Sequence, residues 1–313
     1  MVVLHQEIEN NKLCFLNSFI FNYKCYRKEK FMYKIIDKEF LSENVARLVI
    51  EAPYIAKSRK AGNFIILRID KNGERIPLTI ADANIEKGTI TVIVQRVGIS
   101  SHKLCAMNIG DNLLDVVGPL GKETHIANVG TVLCAGGGVG VAPLFPIVQA
   151  MKLAGNRVIT VIAARTKDLV ILEDEMRAYS DELIIMTDDG SLGKKGLVTQ
   201  GMEEVILREK VNEAVVIGPA IMMKYAALTT KKYDIPTVAS LNTIMVDGTG
   251  MCGACRVSVG GKTEFVCVNG PEFDAHKVNF DEMMFRLNAY KTKEAEGYSD
   301  YLKSLESTAP ALV

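Results

Sequence analysis

The sequence has no surplus of charge: 37 lysines and arginines stand against 37 aspartates and glutamates. Without a basic excess there is no electrostatic footprint for nucleic acid, and none is expected as a partner. A long apolar run is also missing. No uninterrupted hydrophobic stretch reaches the roughly 18–20 residues of a membrane-spanning helix, so no membrane partner is expected. Paired cysteines are absent too. The seven are odd in number, and Cys14, Cys25, Cys105 and Cys134 stand singly, unlike the framework of a small secreted domain. That distribution suits a reducing compartment and a cytoplasmic location, with the scattered thiols buried or incidental. There is no internal repeat.

What is present points to a multidomain globular chain. At 313 residues it exceeds a single domain, so two or three packed units are expected. The first stretch, LCFLNSFIFNYKCYRKEKFMYK, puts its apolar segment before its basic residues. A secretory signal has the reverse order, and no A-x-A-like cleavage site follows. Residues 1–31 are therefore expected to be an extension outside the fold, with translation begun upstream of Met32.

From Met32 to about Lys122 short β-branched runs alternate with Gly, Asn and Lys turns, as in KIIDKEFLSENVARLVIEA, NFIILRID and TITVIVQRV. This predicts a small antiparallel barrel. The pattern then changes to strand, glycine loop and helix in TVLCAGGGVGVAPLFPIVQAMKLAGN. Apolar strands alternating with helices continue to about residue 235 and predict a parallel sheet covered on both faces. The remainder carries a cysteine cluster, then a helix-like DEMMFRLNAYKTKEA, expected to be a packed helix. The last dozen residues are expected to fray.

Three motifs carry chemistry. The first is AGGGVGVAP at 135–143. Glycines there let the backbone approach a pyrophosphate, and the following helix offers free N–H groups. Val141 stands where the G-x-G-x-x-G fingerprint needs glycine, and Ala142-Pro143 fits a proline in the first helical turn. Gly218-Pro219 ends a second strand at the same sheet edge, where open α/β sheets bind ligands. The candidate nucleotide-site residues are Gly136, Gly137, Gly138, Gly140, Ala142, Pro143, Arg165, Asp188, Gly218, Pro219 and Met222. Arg165 and Lys167 fit either a grip on a 2′-phosphate or two solvated charges, and Asp188-Asp189-Gly190 fits either a ribose contact or a plain turn.

The second motif joins ERIPLTI (74–80) to VGISSHKL (97–104). A guanidinium suits a pyrophosphate, Thr79 can offer its hydroxyl to a flavin ring, and Gly98 with Ser100 and Ser101 makes a small polar turn. The candidate flavin-site residues are Arg75, Pro77, Leu78, Thr79, Val94, Gln95, Gly98, Ser100 and Ser101.

The third is VDGTGMCGACRVSVGGKTEFVC at 246–267. Its spacing is D-x₄-C-x₂-C-x₁₁-C, which matches the leading spacing of plant-type 2Fe–2S ligation if Asp247 replaces the first cysteine. A tetrahedral zinc site on Asp247, Cys252, Cys255 and Cys267 is the competing metal reading. Following a flavin and a nucleotide domain, an iron–sulfur cluster would complete an electron wire.

The order R-x-P-L-T, Gly-Ser turn, G-G-x-G-x-A-P resembles the ferredoxin–NADP reductase superfamily, although Arg75 stands four residues before Thr79 where many members have three. With the cysteine cluster added, the chain resembles the electron-transfer subunit of dihydroorotate dehydrogenase B, a four-cysteine family. Through ERIPLTIAD, VGPLG, AGGGVGVAPL, AARTKDLVILEDEM, TDDGSLGKKG and SLNTIMVDGTGMCGACRVSVGGKTEFVCVNGPEFDAH it is more similar to the small (alpha) subunits of NADH-dependent reduced ferredoxin:NADP⁺ oxidoreductases, also called sulfide dehydrogenase beta subunits. The resemblance covers about 32–290. It implies a barrel with FAD over 32–126, an NAD(P)-binding α/β domain over 127–235, a 2Fe–2S domain over 236–290 and a tail over 291–313. It further implies one Asp and three Cys cluster ligands (Asp247, Cys252, Cys255, Cys267), NAD(H) rather than NADP(H) on this subunit, and a larger flavin and 4Fe–4S partner through which ferredoxin is reached in electron bifurcation.

Overall fold

The computed structural model describes residues 33–308; the expected extension over 1–31 lies outside the described residues. In the first domain β1 (Tyr33–Ser42) and β2 (Val45–Glu51) form a hairpin, followed by helix α1 (Pro53–Ser58) and strands β3 (Phe64–Arg68), β4 (Ile76–Thr79), β5 (Asp82–Asn84) and β6 (Thr89–Gln95). Helix α2 (Ile99–Ala106), β7 (Asn112–Leu113) and β8 (Asp115–Leu120) complete it. The ladders are antiparallel and divide into two sheets, β5-β6-β2-β1-β7 and β4-β3-β8, rather than one continuous ring. Alternate residues of each sheet, such as Leu48 and Ile50 on β2 and Ile65 and Leu67 on β3, point inward and share one core, as the two-residue period of a strand requires.

The second domain starts with β9 (Thr131–Gly137), a 3-10 turn at Gly138–Gly140 and α3 (Val141–Leu153). It continues with β10 (Arg157–Ala164), α4 (Glu173–Tyr179), β11 (Glu182–Thr187), β12 (Lys194–Lys195), α5 (Val198–Arg208), β13 (Glu213–Ile217), α6 (Ala220–Lys231) and β14 (Thr237–Ser240). The strands run parallel in the order β12-β11-β10-β9-β13-β14. Both faces are covered, which explains the nearly unbroken apolar strands. Leu133 and Ala135 of β9 face Met202, Val205 and Met223 of α5 and α6, while Val132 and Cys134 face Leu144, Ile147 and Met176 of α3 and α4. Burial pushes the Cys134 thiol up to about 12, so it is inert packing.

The last segment contains the hairpin β15 (Arg256–Val259) and β16 (Lys262–Phe265), α7 (Val266–Asn269), β17 (Glu272–Asp274), α8 (Phe280–Leu287) and α9 (Lys291–Thr308). Three expectations change here. The parallel sheet does not stop near residue 235, because β17 pairs antiparallel with β14 and covers its edge. The single helix expected over DEMMFRLNAYKTKEA is two, and of the last dozen residues, expected to fray, those up to Thr308 continue α9, while 309–313 lie outside the described residues.

A polar tie joins the exit of the first domain to this edge strand. Thr124 Oγ1 donates to Glu272 Oε1 at 2.6 Å. Burial pushes the Glu272 carboxyl up from 4.5 to about 7, with nearby Glu213 adding to the rise and the Thr124 bond opposing it. A carboxyl that is more basic when folded favours the fold below its unfolded value and loses that contribution as pH rises through its folded value. Glu272→Gln should therefore gain stability on wild type between pH 5 and pH 8, by about 3 kcal/mol at the upper limit. Thermal unfolding of both proteins at the two pH values measures the difference.

Candidate functional site

The ends of β9 and β13 open into a cleft of about 1800 Å³ shared by the first two domains. One wall is Pro77, Leu78 and Thr79 of β4, with Val94 and Gln95 at the end of β6. The turn into α2 adds Gly98, Ser100 and Ser101. Facing them are Gly137, Gly138 and Gly140 after β9, with Ala142 and Pro143 in the first turn of α3. Gly218, Pro219 and Met222 follow β13, and Arg165 and Asp188 come from the ends of β10 and β11. The cleft thus lies at the point where the chain crosses from one side of β9 to the other, the ligand position of open α/β sheets.

Local geometry explains several residue types. A Cβ on Gly140 would lie 2.7 Å from both the Ile217 carbonyl oxygen and Gly218 Cα, so only glycine lets the two strand-end turns touch. Ser101 shapes the α2 turn: its Oγ accepts from the Val97 and Gly98 amides at 3.0 Å each. Ser100 Oγ donates to Glu74 Oε2 at 2.6 Å.

Two residues assigned from sequence do not line the cleft. A Cβ on Gly136 would meet Leu144 Cδ2 at 3.0 Å and Val141 Cγ2 at 3.2 Å, so this glycine serves the packing of α3 on β9. Arg75 turns the other way. Its Nε donates to the Val246 carbonyl at 3.0 Å, one terminal nitrogen to the Asp247 carbonyl at 3.5 Å, and the other pairs with Asp115 at 3.4 Å. Arg75 stands just before β4, where these carbonyl and carboxylate partners hold it, and Ile76 occupies the cleft wall in its place. Four residues that sequence reading missed line the cleft: Lys293, Glu294 and Gly297 from α9, and Tyr290 from the turn just before it. Their i, i+3, i+4, i+7 spacing is one helical face, the only local signal available.

The loop after Arg75's carbonyl partners carries the cysteines. Cys255 Sγ and Cys267 Sγ lie 3.2 Å apart and buried, while Cys252 is exposed. Asp247 Oδ2 accepts from the Thr249 amide at 3.0 Å, the Met251 amide at 3.3 Å and the Thr249 hydroxyl; the hydroxyl bond first, then the Thr249 amide, hold this carboxyl below its ordinary value. The structure therefore brings two of the four candidate ligands together. Among the described residues no three acidic, Cys or His groups are gathered as a metal set. The donor chemistry nevertheless fits an iron–sulfur group. The Ala254 amide lowers the Cys252 thiol, and the Gly250 amide also points at Cys267, whose thiol burial and neighbouring Cys255 raise. Gly250 and Gly253 have φ of +86° and +66°, which lets the loop turn its N–H groups toward sulfur. Metal binding would release the thiol protons.

Domain by domain, these features define a flavin-, pyridine-nucleotide- and iron–sulfur-dependent oxidoreductase. Residues 32–125 match the oxidoreductase FAD-binding domain, 135–227 the oxidoreductase NAD-binding domain, and 242–279 the iron–sulfur cluster binding domain of dihydroorotate dehydrogenase B. A dihydroorotate dehydrogenase B (NAD(+)) electron transfer subunit homolog of Thermotoga maritima is 46% identical over 271 residues, covering 87% of this chain and 96% of that protein. The electron transfer subunit of Bacillus caldolyticus is 31% identical, covering 78% of this chain and 96% of that protein. A solved structure, from work on flavin-based electron bifurcation in the NADH-dependent reduced ferredoxin-NADP oxidoreductase, is 45% identical with a TM-score of 0.83. It covers 87% of this chain and 98% of that one. The chain belongs to the family of dihydroorotate dehydrogenase B-type electron-transfer subunits. It is a redox protein that uses FAD, NAD(H) and a 2Fe–2S cluster in electron transfer.

Gly140→Ala tests the close approach. Forcing a methyl group against the β13 turn costs about 1–3 kcal/mol in a packed site. NAD(H) affinity, measured by titration of the FAD-loaded protein, should fall about tenfold or more, with FAD content unchanged.

Proposed function

We propose that this chain is the NAD(H)-facing relay subunit of a complex of the NADH-dependent ferredoxin:NADP⁺ oxidoreductase type. In this reading FAD lies against β4 and the α2 turn, and NAD(H) against the glycines after β9 and the Gly218–Met222 turn. When bound, the flavin and the cluster supply the conversion of a hydride pair into single electrons. The residues do the positioning: Thr79 and Gln95 offer polar atoms at the flavin wall, and the first turn of α3 offers N–H groups to a phosphate. Asp247, Cys252, Cys255 and Cys267 would hold the cluster.

One observation carries the reading. Val246 lines the cleft and Asp247 follows it directly, with Arg75, beside the flavin strand, bonded to both carbonyls. The cluster loop is thereby fixed within one residue of the flavin cleft, which suits a short electron path. The partner in this reading is a larger subunit with a second flavin and 4Fe–4S clusters, through which ferredoxin and NADP(H) are reached, and the complex is cytoplasmic. No helix among the described residues is long and apolar enough to cross a membrane. Asp247 in place of a fourth cysteine favours this branch over a dihydroorotate-oxidising complex.

Affinity isolation of the intact chain from its native cell tests the assembly: the flavin and 4Fe–4S companion should co-purify, and a dihydroorotate dehydrogenase catalytic subunit in its place would overturn the reading. Asp247→Cys should retain about two irons per chain with an altered visible and EPR spectrum, since thiolate replaces a harder carboxylate ligand. An unchanged spectrum and potential would remove Asp247 from the ligand set, and colourless protein with one zinc would remove the redox function altogether.

A further inference from the structure

The turn of Arg75 toward the cluster loop leaves a charge problem in the cleft. A dinucleotide brings a doubly charged pyrophosphate, and the wall formed by β4 and the α2 turn supplies no cation. It supplies a carboxylate instead, Glu74, held at 2.6 Å by Ser100. Among the described residues only two cationic side chains line the cleft, Arg165 and Lys293, and neither forms an ion pair among the described residues. Arg165 stands at the end of β10, on the sheet side. Lys293 stands on α9.

The placement of α9 decides which dinucleotide Lys293 serves. Among the described residues the helix meets α2 through three of its residues. Tyr298 Oη and His102 Nδ1 are 3.0 Å apart. Tyr301 meets the His102 ring edge-on at 5.5 Å, and the Lys103 ammonium lies 5.8 Å from the Tyr301 ring centre. A Cβ on Gly297 would lie 3.8 Å from Ile99 Cδ1. Gly297 is therefore seated on the first turn of α2, and Lys293, one helical turn earlier on the same face, reaches the cleft beside the Gly98–Ser101 turn.

We infer that Lys293 is the cation that binds the FAD pyrophosphate, standing in for Arg75, which bonds the cysteine loop instead, and that α9 is the outer wall of the flavin site. The inference rests on the flavin assignment above. A Lys ammonium serves here as a point charge; its phosphate contact is exposed, so it adds modestly to affinity and weakens with salt.

The experiment uses the full-length chain stripped of flavin, with FAD affinity read by quenching of flavin fluorescence at low and moderate salt. Lys293→Gln should weaken FAD about tenfold, worth about 1.4 kcal/mol, and flatten the salt dependence. Lys293→Arg should stay close to wild type, and NADH affinity of the FAD-saturated proteins should be the same for all three. FAD binding by Lys293→Gln equal to wild type in strength and salt dependence overturns the assignment, and so does a loss confined to NADH. If the wild-type chain itself fails to bind FAD, the functional reading falls and the assignment with it; normal wild-type binding with no effect of the substitution removes Lys293 alone.

Discussion

The guanidinium of Arg75 is the joint on which the site depends. It sits at the head of a flavin-side strand, bonds two successive carbonyls of the cysteine loop and pairs with Asp115. Hydrogen bonds from a charged donor are worth about 1.5–3 kcal/mol each when sheltered; partial exposure, 29% for this side chain, lowers that. The geometric effect matters more. A delocalised planar cation holds two adjacent carbonyls in fixed N–H directions, where a lysine ammonium would act as a rotating point charge. The loop is further pressed onto the first domain at Gly248, where a Cβ would lie 2.5 Å from Ile66 Cδ1. The cysteine loop is thus packed against β3 and β8 of the first domain.

Elsewhere the domains are tied by polar contacts at their margins. Arg47 of β2 pairs with Glu175 of α4 as well as with Glu39, bridging the first domain to the second across the cleft's flank. Thr124 and Glu272 bridge the first domain to the edge strand. The cleft walls between these ties are mostly apolar or glycine, which leaves room for aromatic ring systems and close backbone approach.

Much of this was legible in the sequence because the signals are local. The glycine turns after β9 and β13, the Gly-Ser turn before α2 and the alternation of the strands each depend on neighbours within a few residues. The cysteine spacing belongs to the same class. What escaped depends on contacts far apart in the chain. Arg75 looked like a phosphate ligand because its residue type fits one, whereas its direction is set by carbonyls 171 and 172 residues away. Gly136 looked like a ligand turn and instead makes room for α3. The mostly polar helix α9 offered only the short stripe Tyr298, Tyr301, Leu302 and Leu305, which does not say what it meets; two of these tyrosines meet His102. The recruitment of β17 to the parallel sheet was invisible for the same reason, since three residues pair with a strand about thirty positions earlier.

That last strand changes what kind of unit the iron–sulfur segment is. In the linear order it follows the nucleotide domain like a bead on a string. In the fold its β17 closes the hydrogen-bonding edge of β14, and an uncovered edge is a template for unwanted pairing. Cutting the chain after the nucleotide domain would therefore bare the edge of β14. Exchanging the iron–sulfur segment would also remove the cover of that sheet edge, so a replacement must bring its own.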